Sequence, residues 1–410
     1  MRATKDSGFE WIGIIPSEWG LSRIGQVYRL RNTKVSDTDY PPLSVTNKGI
    51  VPQLDTAAKT NAHDDRKLVK KGDFAINSRS DRRGSCGISD YDGSVSLINT
   101  ILAPLNEMNP GYYDWLFHTV QFGDEFYKFG HGIVDDLWTT GWQEMKKITI
   151  PTPPLSEQKR IADFLDAKCA EIDALTADIQ AQIDTLEQYK RSVITETVTK
   201  GLNPDAETKD SGVQWIGNMP AHWDVIRGKY ILRYMQKPVR EDDGVITCFR
   251  DGEVTLRSNR REDGFTMSDK EIGYQGIDVG DLVVHGMDGF AGSIGISDSR
   301  GKASPVLNVL DTDQCKRYIM YYLRSMAYSD VFLALATGIR VRSCDLRWNK
   351  LAELSYPVPP LDEQNAIVKH IDSVLSKADA VIADKKAQLA TLNEYKKSLI
   401  FEYVTGKKEV

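Results

Sequence analysis

The chain is poor in cysteine and has no apolar run of membrane-spanning length. Its five cysteines, Cys86, Cys169, Cys248, Cys315 and Cys344, are scattered, odd in number and never spaced as CxxC. That excludes a disulfide framework and a thiolate metal cage, and predicts a reduced, cytoplasmic, metal-free protein. The six histidines, at 63, 118, 131, 222, 285 and 370, fall into no ligand spacing, and HExxH is absent. The apolar stretch Val331-Phe332-Leu333-Ala334-Leu335-Ala336 is core-sized. Arg2, Lys5, Asp6 and Glu10 crowd the start, where a leader would need an apolar run. The chain lacks a phosphate loop, a G-x-S-x-G elbow and an Asn/Asp-Pro-Pro-aromatic motif for amino-group methylation. Phe290-Ala291-Gly292-Ser293-Ile294-Gly295 is only faintly like a loop that holds S-adenosylmethionine, and its counterpart around Gly84 has lost the likeness. Beyond these absences, the sequence singles out no catalytic constellation.

What is present is a repeat. Thr4-Lys5-Asp6-Ser7-Gly8 returns as Thr208-Lys209-Asp210-Ser211-Gly212. Trp11-Ile12-Gly13, Pro16 and Trp19 return as Trp215-Ile216-Gly217, Pro220 and Trp223. Pro153-Pro154-Leu155 with Glu157-Gln158 returns as Pro359-Pro360-Leu361 with Glu363-Gln364. The period of about 205 residues exceeds any solenoid unit, so each copy is a whole domain with a connector, and a pseudo-two-fold is expected. The repeat also makes the two chain ends the cut ends of one connector, so they should lie close together. Between the repeated blocks, roughly 30–145 and 235–345 share only a thin frame. A common scaffold carrying two unlike inserts suits one job performed on two targets.

With 410 residues and 41% hydrophobic content, each half can bury a core. The net charge of −6 argues against nucleic acid, but its distribution does not. Acids concentrate after the first proline block, at Glu157, Asp163, Asp166, Glu171, Asp173, Asp178, Asp184 and Glu187. The inserts hold basic clusters: Arg66, Lys67, Lys70, Lys71, Arg79, Arg82 and Arg83; Arg250, Arg257, Arg260 and Arg261; Arg340, Arg342, Arg347 and Lys350. Such local positive charge can hold DNA on an acidic chain.

The segment from Leu155 to about Thr199 reads as one long helix, stopped upstream by Pro151, Pro153 and Pro154 and N-capped by Ser156. Ile161, Leu165, Lys168, Ile172, Leu175, Ile179, Gln182, Leu186, Tyr189 and Val193 alternate by four and three, a heptad seam. The copy gives Ile367, Ile371, Val374, Ala378, Val381, Lys385, Gln388, Leu392, Tyr395 and Leu399. Two seams in one chain can pair, and antiparallel pairing with one body at each end matches the repeat. The bodies read as α+β. Leu68–Asn77 and Ile277–His285 each give a turn and a strand, followed by a glycine-broken loop and a second strand. The division expected is 1–154 and 201–360 for the bodies, 155–200 and 361–410 for the helices.

Two Pro-Pro-Leu-x-Glu-Gln motifs at domain period, each opening a heptad helix, together with the two Trp-Ile-Gly…Pro…Trp segments and the Lys71-Gly72-Asp73 and Val279-Gly280-Asp281 loops, resemble the specificity subunit of type I restriction-modification enzymes. The likeness covers nearly the whole chain. It implies an α+β fold of two pseudo-two-fold-related target recognition domains separated by a long antiparallel two-helix coiled coil. It implies that each domain reads one half of an asymmetric, bipartite site in double-stranded DNA, with the coiled coil setting the gap. It implies as partners two modification (methyltransferase) subunits and restriction (translocase-nuclease) subunits, and no membrane. S-adenosylmethionine, ATP and Mg would belong to those partners, and this chain would hold no cofactor. The helices would pack on each other and on partners through Ile161, Leu165, Ile172, Leu175, Ile179, Leu186, Ile367, Ile371, Val381 and Leu392. DNA contacts are expected from Asn77, Arg79, Arg82 and Arg83 in the first body, and from Arg250, His285, Asp288, Arg340, Arg342 and Arg347 in the second. Trp138 and Trp142 are assigned to core packing. Two other readings are a coiled-coil scaffold whose bodies bind proteins, which would show low affinity for duplex DNA even beside a methyltransferase partner, and a stand-alone modification enzyme, which would transfer methyl groups unaided.

Overall fold

The computed structural model describes residues 2–53, 63–79, 84–132, 138–260, 272–335 and 346–410. Contacts divide the chain into two compact units, one of 1–179 with 386–410 and one of 180–385. The two long helices, Leu155–Lys200 and Leu361–Val404, are each shared between the units.

In the first unit an antiparallel sheet runs in the order Cys86–Ile88, Phe74–Asn77, Asn99–Pro104, Tyr28–Leu30. Helix Pro110–Phe117 starts on a proline whose missing N–H costs nothing there, and Asn109 caps it by accepting from the Tyr112 amide at 3.0 Å. The sheet and this helix bury Tyr28, Phe74, Tyr113 and Phe117 edge to face or tilted, with Phe74 and Phe117 centroids 4.5 Å apart. A smaller core lies around Leu43, Ile50, Val69, Ala75, Val95 and Ile101.

The second unit repeats the plan, with the sheet order Leu232–Met235, Leu307–Thr312, Leu282–His285, Ile294–Ile296 and helix Lys316–Tyr328 against it. Strand Thr149–Thr152 pairs with Gly20–Arg23, and Ser355–Val358 with Asp224–Arg227, just ahead of each long helix. In each unit, therefore, a ladder clamps the proline block that launches the helix. The helices begin at Leu155 and Leu361. Ser156 thus lies inside the first turn and does not cap it; the Pro154 carbonyl accepts from the Glu157 and Gln158 amides at 2.9 and 3.0 Å.

Within each unit the long helices run antiparallel. In the first, Phe164 packs tilted against Tyr403 with centroids 4.4 Å apart, and Lys396 Nζ reaches Asp173 at 2.5 Å. In the second, Lys190 Nζ reaches Asp379 at 2.6 Å and Lys385 donates to Gln182. Lys190 and Lys396 occupy equivalent repeat positions, as do Asp173 and Asp379.

The buried stripe differs in register from the expected one. Ile161, Leu165, Cys169, Ile172, Ile179, Ile183, Ile194 and Val198 are buried along the first helix; Ile367, Ile371, Ala378, Ile382, Leu399 and Val404 along the second. Leu186 and Leu392 are half-buried. The expected Lys168, Leu175 and Tyr189 are exposed, as is Gln182 although Lys385 reaches it, and Thr176 and Lys190 fill the intervening turns as half-buried residues. Val381 and Tyr395 are exposed for the same reason, with Ile382 and Lys396 one residue on. The steps from 161 to 165 and on to 169 are both four. That second step of four places Cys169 under the pair, and a strict alternation starting from Leu165 misses it.

The chain ends meet within the first unit, where Lys407 Nζ donates to the Ile12 carbonyl. Among the described residues no helix is long and apolar enough to cross a membrane, and no group of three or more His, Cys, Asp or Glu is placed to hold a metal ion.

Candidate nucleic-acid interface

The repeated motifs tie each body to its helices. Glu157 accepts from the Trp19 indole at 2.9 Å and from both Arg2 terminal nitrogens at 2.5 and 2.7 Å. Its equivalent Glu363 accepts from the Trp223 indole at 3.1 Å and pairs with His222 Nε2 at 2.8 Å. Gln158 Oε1 accepts from the Asn109 amide while its Nε2 donates to Pro153 O. Gln364 does the same with the Cys315 amide and Pro359 O. Tyr112 Oη donates at 2.7 Å to Val404 O in the last turn of the second helix, and Tyr318 Oη lies 3.0 Å from Val198 O near the end of the first. A Pro-Pro-Leu-x-Glu-Gln motif is therefore a joint, and its Glu and Gln must keep their acceptors. The sequence marks the motif by repetition, and Tyr112 and Tyr318 recur at the same offset inside the otherwise divergent inserts.

The strand–loop–strand units are built alike. Gly72 and Gly280 both sit at φ +86°, a conformation that glycine adopts without strain. Buried Asp73 then takes Arg31 at 2.5 and 3.0 Å, and Asp281 takes Lys237 Nζ at 2.7 Å. At the far end of each strand stand Asn77 and His285. Asn77 Oδ1 accepts from the Arg79 amide at 3.0 Å; His285 Nδ1 accepts from the Met287 and Asp288 amides at 3.2 and 2.9 Å. Both residues thus hold the start of the following loop. Burial, only partly offset by the Asp288 carboxylate, holds the His285 pKa below its usual value, so the ring is neutral at pH 7. With Nδ1 accepting, its proton sits on Nε2.

Arg79 is exposed, and its carbonyl accepts from Tyr127 Oη at 3.1 Å. Arg250, in the turn between strands Ile246–Cys248 and Val254–Leu256, pairs with Asp288 at 3.1 Å. Arg250, His285 and Asp288 come together on the wall of one cavity of about 720 Å³, beside Arg257, Arg260 and Tyr274. Arg260 is fully engaged there: it pairs with Asp251 and Glu253 and lies 4.2 Å over the Phe249 ring. Arg250 also lines a second cavity of about 680 Å³, with Lys190, Arg191 and Arg324. Arg347 is exposed at the start of helix Trp348–Glu353, outside both cavities. Arg82, Arg83, Arg340 and Arg342 lie outside the described residues. The first basic cluster is partly spent on the fold: Arg66 is buried on Ser94, and Lys67 Nζ donates to Asn99 O at 2.7 Å.

Residues 16–185 match the family described as the type I restriction modification DNA specificity domain. That stretch is similar to a type I specificity domain. Along its length the chain is similar to specificity subunits. It is 24% identical to the type I restriction enzyme MjaVIII specificity subunit of Methanocaldococcus jannaschii, over 99% of this chain and 97% of that one. It is 26% identical to the putative MjaX specificity subunit of the same organism, over 64% of this chain; that match spans 60% of the MjaX subunit's length. Among solved structures, a chain from work on complex assembly and conformational transition of the type I R-M system superimposes with a TM-score of 0.70, at 15% identity, over 96% of this chain and 99% of that one. The HsdS subunit from Thermoanaerobacter tengcongensis gives 0.52, also at 15%, over 98% and 100%. These likenesses establish the fold. The matched stretch takes in Asn77, Arg79 and the Glu157–Gln158 joint.

Proposed function

We propose that this chain is the non-catalytic, DNA-reading subunit of a type I restriction-modification complex in the cytoplasm, each unit reading one half of a bipartite site. One observation carries the reading: the two units share a frame down to equivalent hydrogen bonds, yet carry unlike chemistry on the loops that follow the strands. Asn77 and Arg79 stand where the second unit has His285 and Met287, with Asp288 next in the chain. A shared frame sets two readers in like poses, and unlike loops make the recognised site asymmetric. Lysines and arginines on phosphates supply salt-sensitive affinity, while side chains on base edges supply sequence. The paired helices set the unspecified gap and offer docking faces to two modification subunits, with restriction subunits joining them. Methyl transfer with S-adenosylmethionine, and cleavage with ATP and Mg, belong to those partners.

The test is to co-express the chain with its modification partner in a host lacking other methylases and map N6-methyladenine across the genome. Two unlike half-sites separated by a fixed unspecified gap are expected. A contiguous motif, or no added methylation from an active partner, would overturn the reading.

A further inference from the structure

The Arg250–Asp288 pair differs from the Arg233 and Arg300 clusters of the second unit. Arg233 is divided between Asp311 and Asp313, and Arg300 between Asp243 and Asp278. Both guanidiniums are consumed by the fold. Arg250 gives a single Nη to Asp288 at 3.1 Å, and among the described residues its other nitrogens make no hydrogen bond. Its side chain is 69% exposed. Asp288 is itself fixed, because its amide is held at 2.9 Å by His285 Nδ1 at the strand end. The carboxylate spends Oδ1 on Arg250, while Oδ2 lies 3.9 Å from His285 Nε2, beyond hydrogen-bond distance. The result is a braced guanidinium fork beside an open carboxylate oxygen.

Resting on the proposed reading of DNA, we infer that Arg250 and Asp288 read one G·C base pair in the second unit's half-site. Arg250 donates to guanine O6 and N7, and Asp288 Oδ2 accepts from the cytosine N4 amino group. Both contacts match the donor and acceptor pattern of that pair in the major groove. A phosphate contact fits less well. It asks only for positive charge, and a carboxylate 3.1 Å from the guanidinium repels a phosphate. Bracing also lowers the entropy lost when the fork docks on a base edge. The first unit builds the same loop start with Asn77, but its sequence has Ser80 at the position of Asp288, so no equivalent pair is expected in the first half-site.

The experiment is selection of bound duplexes from a randomised pool by the full chain with its modification partner, for wild type and for Arg250→Ala, Arg250→Lys and Asp288→Asn. For Arg250→Ala, discrimination for guanine at one position of one half-site falls by roughly 5- to 150-fold, the range one bidentate pair supplies. Every other position is unchanged. Arg250→Lys, which keeps charge and bulk without the fork, relaxes the same position. Asp288→Asn weakens that preference several-fold and touches no other. Unchanged selection by Arg250→Ala, relaxation at a position that is not guanine, or an even loss of affinity at all sequences would overturn the inference. Retained selection at the remaining positions of the same half-site shows that the second unit of a variant has folded. If the wild-type complex selects no sequence at all, the proposed function fails instead.

Discussion

Glu157 takes three long-range hydrogen bonds, two from Arg2 and one from Trp19. Burial by itself would raise its pKa; the Arg2 and Trp19 bonds outweigh that and hold the carboxyl below its ordinary value. A depressed carboxyl stabilises the fold fully above its unfolded pKa, and the contribution fades as pH falls through the folded one. Glu157→Gln is therefore expected to cost about 1–3 kcal/mol at pH 7, read as a lower denaturant midpoint. The difference from wild type should shrink as pH falls below the unfolded carboxyl value of about 4.3 and on through the lower folded one, where the native carboxylate takes up its proton. A difference that stays constant down to pH 3 would mean that the residue acts through packing alone.

At the scale of the helix, the period was legible and the register was not. Each turn of the seam offers two adjacent candidates: Lys168 or Cys169, Leu175 or Thr176, Gln182 or Ile183, Tyr189 or Lys190. Sequence spacing favoured Leu175 and Tyr189 for their apolar bulk. Folding favoured the other set, because Lys190 and Lys396 each run their stems along the pair and end on an aspartate. Ile183 is 4% exposed and Leu175 47%, so the two make a paired test. Ile183→Ala should destabilise by about 2–4 kcal/mol, whereas Leu175→Ala should stay within about 0.5 kcal/mol in thermal or chemical unfolding. The reverse ranking would restore the strict alternation. The loops were legible in part for a similar reason. The turn and strand before Asn77 and His285 are local signals, while the brace on Arg250 joins positions 250 and 288, and the burial of Arg66 joins it to Ser94. Partners that far apart in sequence leave no periodic trace.

For the whole molecule, the repeat gives the proposed ruler a clean test. Ile179 and Lys385 are equivalent positions of the two helices. Seven residues added after each preserve the heptad phase and lengthen both helices by about 10 Å. The unspecified gap in the methylated motif should grow by about three base pairs, at ~3.4 Å per step, with both half-sites intact. Methylome sequencing reads both at once; altered half-sites with an unaltered gap would reject the ruler.

The division of the helices also imposes an order of assembly on the growing chain. The second unit is one uninterrupted stretch, whereas the first is closed only by 386–410. Ile172 packs in a cluster with Leu399 and Ile400, and Tyr112 waits for Val404. At 5–20 residues per second, the ribosome needs roughly 10–40 s to make the intervening 180–385. The body translated first is thus the one completed last, and during that interval its unfinished helix face must be shielded by something other than its own partner strand of sequence.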